Sequence, residues 1–286
     1  MTWRRLDTGE GDAAYNMAVD EALLCELLRG NSPPTIRTYR WNPPSFSTGY
    51  FQKMSQQVDY VKCKAHGIDR VRRLTGGRTV LHGWDLTYSV VASIDHIAPG
   101  GVITDAYREI SLALVAGLNR MGVKAEYARP QPREPGGMTQ VKTKAKAVKP
   151  CFSSISRFEI SCGGKKIVGS AQRVVGRHFL QHGSIPLCEP PVGPHIFIPR
   201  IENQKLLLMD EALKERSTNL SAILGREVGY EEVRDAILSG FEEALGVTII
   251  PGRISEKERL RIEELEKKKY KTTEWNEDGT TGHYDN

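Results

Sequence analysis

Three stretches of the 286-residue chain hold residue types that can do chemistry. The first is Cys151, which follows Pro150 and a run carrying Lys142, Lys144, Lys146 and Lys149. A positive field lowers a thiol's pKa and enriches the thiolate, the form that attacks a carbonyl carbon. The alternative for a lone cysteine is a small core filler, the reading that suits Cys25, Cys63, Cys162 and Cys188. The second is Lys165-Lys166, opening a strand-like run of Ile167-Val168-Gly169-Ser170. Strand alternation sends one lysine to each side, and an inward one is costly unless it has a role. Pattern alone leaves open which of the two turns inward, or whether both are solvated turn residues. The third is Arg72-Arg73-Leu74-Thr75-Gly76-Gly77-Arg78, with His82 close behind. Arginines grip phosphate or carboxylate and glycines let a ligand approach the backbone, while His82 can act as acid or base. The alternatives there are a β-turn with exposed charges and a histidine that satisfies a core hydrogen bond.

These residues must be held by a scaffold, and its elements are legible. Asp12 to Arg29 has helical apolar density, an acidic start and Gly30 beyond its end. Thr35 to Trp41 and Ser45 to Phe51 read as strands parted by Asn42-Pro43-Pro44. Val71 to Leu74, Gly76-Gly77 and Thr79 to His82 read as a hairpin, followed by a strand over Leu86 to Ala92. Tyr107, Ile110, Leu114 and Leu118 place a helix over Thr104 to Arg120. Ala128 to Pro150, rich in proline and basic residues, reads as a long loop. Ser154 to Cys162, Gly163-Gly164 and Lys165 to Ala171 form a second hairpin, and His178 to Leu187 a further strand. Helices follow over Tyr230 to Leu245 and from Ser255, where Glu258 completes a capping box. That last helix, with Glu263 and Glu264 each four residues before a lysine, reads as a solvated surface helix, and residues after Trp275 as frayed.

Strands and helices do not alternate regularly, which points to an α+β fold with mixed or antiparallel sheets and flanking helices. A dinucleotide-binding fold is disfavoured, because neither G-x-G-x-x-G nor GxxxxGK[ST] occurs. Forty Lys and Arg against 35 Asp and Glu leave a net charge of +5, too little to imply nucleic-acid binding. No apolar run reaches the ~18 residues of a membrane span, and the N-terminus lacks a secretory h-region. Five cysteines without CxxC spacing argue against a disulfide framework or structural zinc, and no HxxxH or carboxylate cluster suggests a metal. A cytoplasmic protein with free thiols is expected, and a monomer, since no heptad or large apolar stripe is visible.

Four motifs in order resemble the superfamily of lipoate-protein ligases and octanoyltransferases, to which biotin protein ligases also belong. They are Tyr15-Asn16-Met17-Ala18-Val19-Asp20-Glu21-Ala22, Arg40-Trp41-Asn42-Pro43-Pro44, the Arg72 to Arg78 stretch with Leu81-His82, and Lys166 to Gln172. The resemblance implies a catalytic domain over 1–250, with 251–286 a C-terminal surface helix and tail. Where ATP-dependent ligases carry an Asn-Asp pair, this chain reads Pro150-Cys151-Phe152-Ser153-Ser154. With Leu180 to Ile185, that makes it most similar to cysteine-dependent, LipM-type octanoyltransferases.

By that resemblance Cys151 is the nucleophile and Lys166 its catalytic partner, with Arg73, Gly76, Gly77, Arg78, His82, Gly169 and Ser170 at the substrate. It implies no cofactor or metal and two acidic protein partners: octanoyl-acyl carrier protein as donor, and a lipoyl domain such as glycine cleavage H protein as acceptor. Other readings within reach are an ATP-dependent lipoate or octanoate ligase, an amidotransferase between lipoyl domains, and a non-catalytic binding module. The Ala128 to Pro150 loop is longer and more basic than the family leads one to expect.

Overall fold

The computed structural model describes residues 1–127, 160–199 and 203–279. Among these, eleven strands fall into two sheets. They are β1 (Thr2–Gly11), β2 (Thr35–Trp41), β3 (Ser45–Thr48), β4 (Asp69–Arg72), β5 (Val80–His82), β6 (Asp85–Ser93), β7 (Ala125–Tyr127), β8 (Ile160–Cys162), β9 (Lys165–Val175), β10 (His178–Pro186) and β11 (Thr248–Pro251). The large sheet runs β11-β1-β2-β6-β10-β9-β8-β7 and the small one β4-β3-β5. In the large sheet β1 is parallel to β11 and to β2, and the remaining pairs are antiparallel. The mixed α+β architecture is as expected.

The helices are α1 (Ala13–Leu28), α2 (Met54–Gln57), α3 (Tyr60–Ala65), α4 (Ile103–Arg120), α5 (Asn203–Arg216), α6 (Leu220–Leu224), α7 (Tyr230–Leu245) and α8 (Glu256–Leu265). Asp12 caps α1 by accepting the Tyr15 N–H at 2.7 Å, and Gly30 takes a positive φ just beyond the helix. Strand alternation sorts two cores. Leu86, Tyr88, Val90 and Ala92 of β6 pack with Ile110 and Leu114 of α4 and Ile237 and Phe241 of α7. Val91 of β6 and Leu180 of β10 pack on the other face with Met17, Leu23 and Leu24 of α1. β6 is therefore buried on both faces, which explains its nearly continuous apolar run.

Two local expectations are corrected. β4 and β5 do not form a hairpin around Gly76-Gly77, because β3 lies between them, parallel to β4 and antiparallel to β5. The stretch Ser45 to Phe51 is accordingly a strand only to Thr48. The hairpin from β8 to β9 does form, with Cys162 opposite Lys165, while residues 154–159 lie outside the described ones.

The C-terminal stretch is also more integral than its charge pattern suggests. Its capping box is present, and Lys268 pairs with Glu264 at 3.0 Å, although Glu263 pairs with Arg259 rather than Lys267. The inward face of α8 carries Ile262, and beyond it Tyr270 and Trp275 join the core beneath α1. Three buried polar clamps hold this segment. Arg4 makes a bidentate contact to Glu258 at 2.5 and 2.9 Å, and Glu21 accepts from Lys269 and Tyr270. Arg72 donates to the carbonyls of Trp275, Asn276 and Glu277, residues expected to be at or past the frayed end.

Breaking a buried ion pair from one side leaves an uncompensated charge. Glu258→Ala is therefore expected to lower the unfolding free energy by about 3–5 kcal/mol, measured by urea denaturation. A loss below about 1 kcal/mol, the worth of a solvated pair, would mean that packing alone holds α8.

Candidate active site

Between the two sheets and the N-terminal part of α1 lies a cavity of about 280 Å³. Of the residues singled out from sequence, Arg73, Gly77, Arg78, His82, Lys166, Gly169 and Ser170 all line it. Gly76 is not among its lining residues, and its carbonyl accepts from Arg73, which is. Cys151 and the lysines at 142, 144, 146 and 149 lie outside the described residues.

Arg73 builds the wall. Its Nε donates to the Thr75 hydroxyl and the Gly76 carbonyl at 3.2 Å, Nη1 to the Ser47 carbonyl at 2.8 Å and hydroxyl at 3.1 Å, and Nη2 to the carbonyls of Gly76 and Arg78 at 2.8 and 2.7 Å. The expectation that Arg72 and Arg73 grip an anion is thus revised. Both guanidiniums are spent on the chain's own acceptors, Arg72 on Tyr50, Gln52 and the C-terminal carbonyls. The loop folded by Arg73 needs its glycines, since a Cβ on Gly49 would sit 2.0 Å from the Gly77 carbonyl oxygen and Gly77 itself has φ +90.

Two buried His–Asp pairs stand behind this wall, each tied to Arg73 through a hydroxyl. His182 Nε2 meets the Thr75 hydroxyl at 2.6 Å and its Nδ1 meets Asp20 at 3.0 Å. His82 Nε2 meets the Ser47 hydroxyl at 2.9 Å and its Nδ1 meets Asp85 at 2.8 Å, with the ring stacked on Trp41 at 4.2 Å. Asp20 also accepts from Arg37, Tyr39 and Ser89, and Asp85 from Thr87 and Ser184.

Burial pushes the Asp20 carboxyl up, but the Arg37 charge and the His182 bond outweigh it and hold it below its ordinary range. Asp85 is lowered in the same way, burial being outweighed by His82 and by bonds from Ser184 and Gly83. Burial pushes His182 down despite Asp20, and a neutral ring that donates from Nδ1 to Asp20 has Nε2 left to accept the Thr75 proton. The histidines and the hydroxyls they meet are therefore bonded into the wall of a cavity whose lining is mostly apolar and includes Arg78 and Lys166.

Lys166 is another lining residue. It is half-buried and folds back over Gly169, where an added Cβ would lie 3.4 Å from its Cε and 3.7 Å from its Nζ. Alternation along β9 turns Lys165 to the opposite side, where its Nζ donates to the Lys214 carbonyl at 2.8 Å. Ser170 bonds Tyr88 at 2.7 Å. The Lys166 side chain thus lines the same cavity as Arg78, Gly169 and Ser170. Asp20, Asp85, Thr75 and His182 were not singled out from the sequence. One signal for Asp20 was available: a carboxylate inside the apolar run Met17-Ala18-Val19-Asp20-Glu21-Ala22-Leu23-Leu24 must be buried and must have partners.

Comparison with known proteins supplies the family. The model of the lipoyl protein ligase A/B catalytic domain matches residues 12–242. Octanoyltransferase LipM of Kyrpidia tusciae is 42% identical over 275 residues, covering 96% of this chain and 98% of that protein. Octanoyltransferase LipM of Geobacillus kaustophilus is 39% identical, covering 96% and 97%. Among solved structures, lipoate-protein ligase A bound with ATP superposes with a TM-score of 0.72 at 28% identity, covering 96% of this chain and 98% of the other. A bipartite lipoate protein ligase from Thermoplasma acidophilum gives 0.77 at 27% identity, covering 99% and 98%.

The three shifted groups act on stability with one sign. Asp20 and Asp85 titrate lower in the fold than the ordinary 3.8, so their contribution is complete above that value and is lost as pH falls below it. His182 also titrates below its ordinary 6.5, so the unfolded chain takes up the proton first and stability falls as pH drops under 6.5. His96, lowered by burial and by the charge of His178, adds to that limb. The melting temperature should be flat just above neutrality, fall below pH 6.5 and fall again below pH 3.8. His182→Gln should shrink the first limb and spare the second; a first limb of undiminished size would contradict this assignment.

Proposed function

The chain belongs to the lipoyl protein ligase A/B catalytic-domain family, and from that premise we propose that it is an octanoyltransferase of lipoate biosynthesis working through a cysteine thioester. Its donor is octanoyl-acyl carrier protein and its acceptor a lysine of a lipoyl domain, such as glycine cleavage H protein. The observation that carries the reading is the chamber just described: its histidines and their hydroxyl partners are bonded into the wall, its mostly apolar lining suits an unbranched acyl chain, and Lys166 lines it. The similarity to octanoyltransferases along almost the whole chain supports the same choice of acyl group.

The Cys151 thiolate attacks the donor's carbonyl carbon, and the tetrahedral oxyanion collapses to octanoyl-Cys151 as the carrier's thiolate leaves and is protonated. The acceptor amine then attacks the new thioester, loses a proton and expels the Cys151 thiolate, leaving an octanoyl amide. The first exchange is close to thermoneutral and the second runs downhill, so no nucleotide is consumed. Lys166 stabilises the oxyanion in both steps. The Lys142, Lys144, Lys146 and Lys149 run supplies a positive field that steers two acidic partners. The enzyme acts in the cytoplasm as a monomer.

Octanoyl-acyl carrier protein without ATP should octanoylate a lipoyl domain, whereas octanoate with ATP should not. Lys166→Ala should cut kcat about 10²–10³-fold, and kcat/KM for the carrier should fall as ionic strength rises. Modification only with free acid and ATP would instead make the protein a ligase. Transfer only from an octanoylated lipoyl domain would make it an amidotransferase.

A further inference from the structure

A second cavity, of about 300 Å³, adjoins the first. Val80 and Ser184 line both and form their common wall. β9 is the other partition: Lys165 lines the second cavity and Lys166 the first. Ser217, Thr218 and Asn219 also line the second cavity, and this stretch is tied to β9, since the Thr218 N–H donates to the Lys166 carbonyl at 3.0 Å. The two spaces thus lie on either side of β9 at Lys165-Lys166.

Both linings are mixed. The first cavity bonds its histidines and serines into the wall and is also lined by Arg78 and Lys166. The second sets Phe46, Leu81, Trp84 and Leu213 beside Ser217 to Asn219, where the Ser217 hydroxyl donates to the Leu213 carbonyl at 2.7 Å and Asn219 caps α6. Its charges are mixed, Lys165 and Lys214 standing with Asp210 and Glu189, and Lys214 is paired with Asp210 at 2.6 Å. A trough of this composition fits an uncharged chain in which methylenes alternate with amides, and it offers no concentrated positive charge for a polyphosphate.

A thioester has two arms diverging from one carbonyl. Resting on the thioester reading above, we propose that the second cavity holds the thiol arm of the donor, a pantetheine-type chain, while the acyl arm fills the first. The donor then lies across the partition at Lys165-Lys166, with its scissile bond on the Lys166 side. Discharge of the thiol empties one cavity and leaves the acyl chain in the other, which opens a path for the acceptor lysine.

The test compares two octanoyl thioesters on the full-length protein, S-octanoyl-pantetheine and S-octanoyl-ethanethiol, by the rate of thiol release. The wild type should favour the pantetheine ester by about tenfold or more in kcat/KM. Ala222→Trp and Ser217→Trp, two substitutions of residues that line the second cavity, should each bring that ratio toward one. Thermal melting shows which variant is folded, and either one suffices. A wild-type ratio near one, or a preference untouched by a folded variant, would overturn the pantetheine site alone. An equal loss with both esters would do the same, since that is what general damage produces. Failure of both esters to acylate the wild type, with activity appearing only on free octanoate and ATP, would overturn the thioester reading beneath it.

Discussion

The guanidinium of Arg73 is the contact on which the candidate site depends. It closes the Gly76 to Arg78 turn through backbone carbonyls, and through the hydroxyls of Thr75 and Ser47 it connects with two buried His–Asp pairs. Asp20 and Asp85 are deeply buried, and each is tolerable only because several donors converge on it. The same bonds that offset their burial orient both imidazoles.

The neighbouring Arg72 couples this wall to the other end of the chain. Its backbone and side chain bind Trp275, Asn276 and Glu277, while the side chain also takes the carbonyls of Tyr50 and Gln52 beside the Gly49 turn. Adjacent arginines therefore divide the work, one shaping the chamber from within and the other anchoring the C-terminal segment behind it. α1 lies between them, contributing Asp20 to the chamber and Glu21 to the clamp on Lys269.

What could be read from sequence followed the range of the interactions. α1, α4 and α7, with their caps and terminal glycines, are set by contacts between residues three or four apart, and they appear where the periodicity puts them. The hairpin at Gly76-Gly77 failed because β3, distant in sequence, pairs with both of its presumed arms. The solvated reading of α8 failed for the same reason: its outer charges are local, whereas Arg4 and Glu21 reach it from more than 240 residues away. At the site, alternation alone could not choose between Lys165 and Lys166, and the resemblance did so. His182 and Asp20, separated by 162 residues, form a pair that local pattern does not contain.

The central claim is that acyl transfer proceeds through a covalent enzyme intermediate on Cys151. Intact-protein mass spectrometry after mixing with octanoyl-acyl carrier protein, in the absence of ATP, tests it most directly. The wild type should gain the mass of a single octanoyl group and Cys151→Ala should gain none. Equal labelling of both proteins, or labelling of neither while a lipoyl domain is still octanoylated from the same donor, would contradict the account.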